Sequence, residues 1–157
     1  MDTYKPRLEP ATRLTDHSAP ALAQHPRIIL ATLNARYIHA ALGLRYLLAN
    51  LDVHGGAGLQ AVSVIREYTI VRPPAEIVSD LLATLGPAVP GLTQVLGFGV
   101  YIWNVTQTAE VLRLLRAARA DLKIVLGGPE VSHETNEQAI MAWADHVITG
   151  WGDVSFA

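Results

Sequence analysis

Four short polar or glycine-rich loops carry the residues best suited to chemistry in this chain of 157 residues. They are Asn34-Ala35-Arg36-Tyr37, Tyr101-Ile102-Trp103-Asn104, Gly127-Gly128-Pro129-Glu130 and Gly150-Trp151-Gly152-Asp153. Each follows an apolar run that reads as a strand. In a parallel α/β sheet such loops gather at the carboxyl edge, where ligands bind. Gly127 and Gly128 would let a backbone approach a large ligand closely, or would simply make a tight turn. Tyr101, Ile102 and Trp103 offer flat and aliphatic faces to a broad apolar ligand, or pack beneath their loop. Arg36 could pair with an amide or phosphate oxygen, or remain a solvated cation. Glu130, Ser132 and His133 have acid–base capacity, but no partner stands at a spacing diagnostic of a triad or metal cluster. Glu130 therefore reads as a ligand or interdomain contact, and His133 as a loop residue.

The elements that must position these loops are legible from hydrophobic period. Arg27 to Leu33 is a continuous apolar run, as expected of a strand covered on both faces. Leu44, Leu47, Leu48 and Leu51 recur at helical spacing and mark one buried stripe. Gly55-Gly56-Ala57-Gly58 ends that unit, and Val62 to Tyr68 is the second strand. Pro73-Pro74 opens a helix bearing Ile77, Leu81, Leu82 and Leu85, which Gly86-Pro87 stops. Val95 to Val100 is the third strand. Asn104 and Gln107 are spaced as a capping box for a helix through Val111, Leu112, Leu115 and Ala118. Lys123 to Leu126 is the fourth strand. Thr135 and Gln138 suggest a second capping box, with Ile140, Met141 and Trp143 in its helix. His146 to Thr149 is the fifth strand.

Strands alternating with helices imply right-handed βαβ units. The expected fold is α/β, a flavodoxin-like five-stranded parallel sheet of order 2-1-3-4-5 that stops before its final helix. Its ligand crevice is expected between strands one and three, flanked by the loops at Asn34 and Tyr101. The absent helix would leave an apolar sheet face, covered by a partner, a second copy or the leader. Residues 1–26, with Pro6, Pro10, Pro20 and Pro26, read as a flexible leader, and residues 27–157 as the domain.

Composition narrows the function. Half the residues are hydrophobic and the formal net charge is −2 without a basic run, which disfavours nucleic acid as a partner. The absence of cysteine excludes a disulfide framework and a cysteine-ligated iron–sulfur cluster within this chain. No apolar stretch reaches bilayer-spanning length. The first residues lack the apolar core of a signal peptide, so a cytoplasmic location is expected.

The residues L-N-A-R-Y-I-H-A (33–40), G-F-G-V-Y-I-W-N (97–104), I-V-L-G-G-P-E-V-S (124–132) and I-T-G-W-G-D (148–153) together resemble the N-terminal cobalamin-binding domain of cobalamin-dependent radical SAM proteins. The resemblance spans about 27 to 156. It implies a module that holds cobalamin, base-off, with the four loops around it. It also implies a catalytic domain, in cis or in trans, carrying S-adenosylmethionine and a 4Fe-4S cluster that this cysteine-free chain does not bind. The module alone would not catalyse turnover. His39 and His54 are weighed as cobalt ligands and set aside. Asp52-Val53-His54 has only part of a D-x-H-x-x-G pattern, with Ala57 where glycine is required, and it follows the first helix rather than the first strand. The resembling domains carry Gly-Glu-Gly-Glu or Gly-Glu-Gly-Asp after the last strand, whereas Trp151 stands here in the first acidic position. A ligand-free interaction or regulatory module on the same fold is the alternative. A flavin or nucleotide binder ranks last, because the phosphate-binding glycine fingerprints are missing.

Overall fold

A computed structural model describes residues 25–36, 40–133 and 138–157. Tyr37, His39 and Thr135 lie outside those residues, as does the leader up to residue 24. Five parallel strands form one sheet in the order β2-β1-β3-β4-β5. The strands are β1 (Ile28–Asn34), β2 (Ser63–Thr69), β3 (Val95–Gly99), β4 (Lys123–Gly127) and β5 (His146–Ile148). Helices α1 (Leu42–Asn50), α2 (Pro74–Leu85) and α3 (Val105–Ala118) connect them, and a short α4 (Gly152–Ser155) follows β5. This is the flavodoxin-like α/β fold expected from the alternation of apolar periods.

All seven residues of β1 are buried, as its uninterrupted apolar run demands. Its two faces differ in what they meet. Ile29, Ala31 and Leu33 join Leu96, Phe98, Ile124 and Leu126 in a core against Ile77 and Leu81 of α2 and Leu112 and Leu115 of α3. Ile28 and Leu30 face the other way and pack with Leu44 and Leu51 in a smaller cluster. Each fully buried Leu or Ile contributes about 1.5–3 kcal/mol, so the α2–α3 face dominates the stability of the domain. The α1 face is thinner, and past β1 it becomes open.

Two local expectations are corrected. Asn104 sits at the start of α3, yet its side chain makes no capping bond with the helix. It is wholly buried and turned back toward β1 and β3, where it satisfies other backbone groups. The helix expected before β5 is instead a 3-10 turn, Ala139–Trp143. The Gln138 amide donates to the carbonyls of Glu130 and His133 rather than capping a helix. The Arg116 guanidinium donates to the carbonyl of Trp143, at the end of that turn, at 3.0 Å.

A charged staple closes the opposite edge of the sheet. The Asp145 carboxylate accepts from Arg116, from Lys123 at 3.1 Å and from the Ile124 N–H at 2.8 Å. Burial opposes its ionisation, but these donors outweigh that cost and hold its carboxyl well below the usual carboxylate range. In β2, burial and the bond from Tyr68 to Asp80 at 2.7 Å push the phenol of Tyr68 above its ordinary value. Both groups lie away from the carboxyl edge of β3 and β4.

Candidate functional site

Alternation along β3 creates the site. Leu96, Phe98 and Val100 point into the α2–α3 core. Val95, Gly97 and Gly99 alternate with them and so face α1. Register pairs Gly97 with Val125 and Gly99 with Gly127, which extends the bare surface into β4. Above it lies a cleft of about 160 Å³. Its walls are Gly43, Leu44 and Leu47 of α1, Tyr101, and the loop residues Gly128, Gly150, Gly152 and Asp153, with Ile148 and Phe156 closing the sides.

Five of the seven glycines that line this cleft fall into two kinds. Gly128 adopts φ +112°, and a Cβ there would lie 2.5 Å from the carbonyl oxygen of Val100. The fold itself forces glycine at that position. Gly150, at φ +78°, is likewise fixed by its backbone. Gly43, Gly99 and Gly127 are not. A Cβ at Gly43 would find only the Tyr101 hydroxyl at 3.9 Å, one at Gly99 would rest 3.5 Å from Thr32, and one at Gly127 would lie 3.8 Å from the carbonyl of Ile148. These are ordinary contacts, so alanine would fit at all three positions. Each lines the cleft, and there a side chain would occupy the void.

The loop after β3 forms one wall. Asn104 anchors it: its Oδ1 accepts from the Tyr101 N–H at 2.9 Å, and its Nδ2 donates to the carbonyls of Leu33 at 3.0 Å and Gly99 at 3.2 Å. Thr32 adds a bond to the Gly99 carbonyl at 2.9 Å. The Trp103 indole N–H donates to Leu33 at 3.3 Å. The rings of Tyr101 and Trp103 stack with centroids 4.6 Å apart and planes within 7°. The result is a rigid aromatic rim with one indole face directed outward, since Trp103 is 46% exposed. Ser132 ties the remaining two loops together, donating to the Gly128 carbonyl at 2.8 Å and accepting from the Gly150 N–H at 3.4 Å.

Of the residues singled out from sequence, Tyr101, Gly127, Gly128, Gly150 and Gly152 line the cleft. Asn34 is buried at the end of β1, Ala35 is half-buried and Arg36 is exposed. Ile102, Pro129 and Trp151 are exposed. Glu130 is half-buried and borders a separate depression between the start of α3 and the turn at Ala139 and Ile140. His54 is exposed in a π-helical turn, Leu51–Gly55, that ends α1. The cleft thus stands over β3 and β4, one strand from the switch point between β1 and β3. Gly43 and Phe156 were not singled out, Leu47 was read only as part of a buried helical stripe, and Gly97 and Gly99 only as part of the G-F-G-V-Y-I-W-N motif. The alternation Val95, Gly97, Gly99 against Leu96, Phe98, Val100 carries the signal that finds the floor.

No group of three or more His, Asp or Glu side chains among the described residues is arranged to hold a metal ion. No helix among them is long and apolar enough to cross a membrane. No protein-family model matches this chain, and no curated protein matches it.

Proposed function

We propose that this chain is a cobalamin-binding module, holding a base-off corrinoid for an adjoining radical SAM domain. The observation that carries the reading is the set Gly43, Gly99 and Gly127, glycines that the fold does not require and that together keep a cleft open at the carboxyl edge. The residues fit such a group. The corrinoid is broad, largely apolar and fringed with amides. The cleft offers an apolar floor, and the stacked Tyr101 and Trp103 offer a flat rim. At about 160 Å³ the cleft is smaller than the roughly 300–1,000 Å³ that enclose a whole drug-sized ligand. A substituent of the cofactor, rather than its ring, is what this volume accepts.

In this reading Gly127 and Gly99 bring backbone close to the ligand, Tyr101 shields it from water, and Asn104 holds that wall in register. When bound, the corrinoid would supply cobalt-centred chemistry, methyl transfer among it, to a domain carrying S-adenosylmethionine and a 4Fe-4S cluster. The chain's own part is positioning and exclusion of water.

Hydroxocobalamin titration followed by gel filtration tests this. Co-elution with a base-off absorbance spectrum supports it, and Gly127→Val, which fills the floor, should abolish retention. A histidine-ligated spectrum would return His39 or His54 to consideration. A folded protein that retains no corrinoid refutes the reading. It would favour the interaction module instead, for which Ile102 at 76% and Trp151 at 91% exposure supply apolar contact surface.

A further inference from the structure

We propose that α1 is a dimerisation helix: its outer face packs antiparallel against α1 of a second copy of this chain, across a two-fold axis. The inference is independent of what the cleft holds. It begins with a helix that is apolar on two sides. Leu44 and Leu51 are buried with Ile28 and Leu30 of β1, and Leu47 and Leu48 pack beside them. That stripe belongs to the domain's own core. Leu42, Tyr46, Ala49 and Val53 are exposed instead, Leu42 by 66%, Tyr46 by 63% and Val53 by 70%. A surface helix ordinarily turns charge toward water. Here Arg45 is the one charged residue of Leu42–Asn50, and it lies outside the exposed stripe. The steps from Leu42 to Tyr46, Ala49 and Val53 are four, three and four residues. That is the a/d repeat by which one helix seats its side chains between those of another. Val53 stands in the π-helical turn Leu51–Gly55 that continues α1. Apolar residues exposed singly need no explanation, but a contiguous stripe at this repeat marks a contact.

Self-complementarity selects a second copy and fixes its direction. With two α1 helices antiparallel, Leu42 meets Val53 of the second copy, and Tyr46 meets Ala49, a large side chain against a small one. Arg45 and Asp52 are seven residues apart and so share one flank of the stripe. The antiparallel pair sets Arg45 against Asp52 of the second copy, and by symmetry does so twice. Both groups are already held beside the stripe rather than across it. Arg45 bridges to Glu67 at 2.9 Å, and Asp52 Oδ1 accepts from the Gln60 N–H at 2.7 Å. A parallel pair would stack Tyr46 on its own copy and oppose no unlike charges. Gly43, Leu44 and Leu47, which wall the cleft, lie outside the stripe, so the dimer leaves the cleft in place. One short helix buries far less than the roughly 1,600 Å² of a standard interface. The dimer is therefore weak and reversible, forming in the micromolar range and above.

Sedimentation velocity from micromolar to millimolar concentration tests the pairing and should show monomer and dimer in exchange. Tyr46→Glu puts a charge at the centre of the seam and should weaken association about tenfold or more. Tyr46 is exposed, so the urea midpoint of that variant at low concentration should match the parent's. The chain has no cysteine, which leaves disulfide trapping without background. A mixture of Leu42→Cys and Val53→Cys chains under mild oxidation should form linked dimers faster than either variant alone. A strict monomer at every concentration overturns the proposal and gives the stripe to another partner, a further segment of polypeptide or a different protein. Association that Tyr46→Glu leaves unchanged overturns it as well. So does Leu42→Cys linking to itself as fast as to Val53→Cys.

Discussion

Gly97→Ala is the sharpest perturbation this fold permits, because a single methyl group reports what lies on the strand. Gly97 has ordinary strand backbone, so no conformational strain enters. In isolation, alanine in a strand gains about 0.5–1 kcal/mol over glycine. Here the new Cβ would sit 2.8 Å from the Phe156 ring and 3.1 Å from Leu30 Cδ2. Overpacking of that kind costs about 1–3 kcal/mol. The net expectation is destabilisation by about 1 kcal/mol, or roughly 2–4 °C in a domain of this size. Phe156→Ala removes a half-buried ring and should cost about 2 kcal/mol, around half the loss for a fully buried one. In the double variant the ring clash vanishes while the strand gain remains, and only the Leu30 contact is left to relax. The double variant should therefore be no less stable than Phe156→Ala alone. That places the coupling energy at about 1–2 kcal/mol, well beyond the 0.5 kcal/mol within which independent sites add. Urea unfolding followed by tryptophan fluorescence measures all four proteins, with a constant slope required for the comparison. Additivity within 0.5 kcal/mol would refute the claim that Phe156 rests on Gly97.

Three further outcomes follow from the same geometry. Gly128→Ala should lose about 3 kcal/mol in urea unfolding, because it combines a positive φ with a 2.5 Å approach to the Val100 carbonyl; Gly127→Ala should change stability by less than about 1 kcal/mol, and equal losses would contradict the division between the two glycines. Asn104→Ala should cost about 1–3 kcal/mol, since it leaves the Tyr101 N–H without its acceptor and takes one of two donors from each of the carbonyls of Leu33 and Gly99, which keep Trp103 and Thr32, and it should broaden the near-ultraviolet circular dichroism of the Tyr101–Trp103 stack. Asp145 titrates lower in the folded chain than in the unfolded one, so its contribution is complete above the unfolded value near pH 4 and is lost as pH falls toward the folded value. Asp145→Asn should cost about 1–2 kcal/mol at pH 7 and flatten the stability curve below pH 4; an unchanged acid limb would show that the staple to Arg116 and Lys123 contributes nothing.

Strands and helices with strong apolar periods were legible because burial dictates them. The runs at Arg27 to Leu33 and Val95 to Val100, and the stripes at Ile77 and Leu112, appear within a residue or two of their expected places. The strand order matches the flavodoxin-like arrangement that the alternation of strands and helices suggested. Side-chain chemistry that competes with local capping was not legible. Asn104 has the spacing of a cap, but a buried site between β1 and β3 offers its amide more unsatisfied backbone than the helix does. Gln138 is recruited in the same way by Glu130 and His133. The loop glycines stood out as a group, yet sequence could not divide them by purpose. Gly127 and Gly128 are adjacent and identical, and only the nearest atom to an added Cβ separates them. The floor at Gly97 and Gly99 is written in the alternation of β3, but reading it requires knowing which face α2 and α3 cover.

That division bears on function more directly than the fold does, since one doubly wound sheet serves many ligands. A glycine held by backbone geometry would be needed in any protein with this turn, so Gly128 and Gly150 say little about a ligand. A glycine that the fold leaves optional carries a small stability cost that the architecture does not explain. Gly43, Gly99 and Gly127 are three such positions, on a helix and two strands, and the same cleft is the one thing they share. Independent losses of side-chain packing that converge on a single void are what a binding site costs a fold.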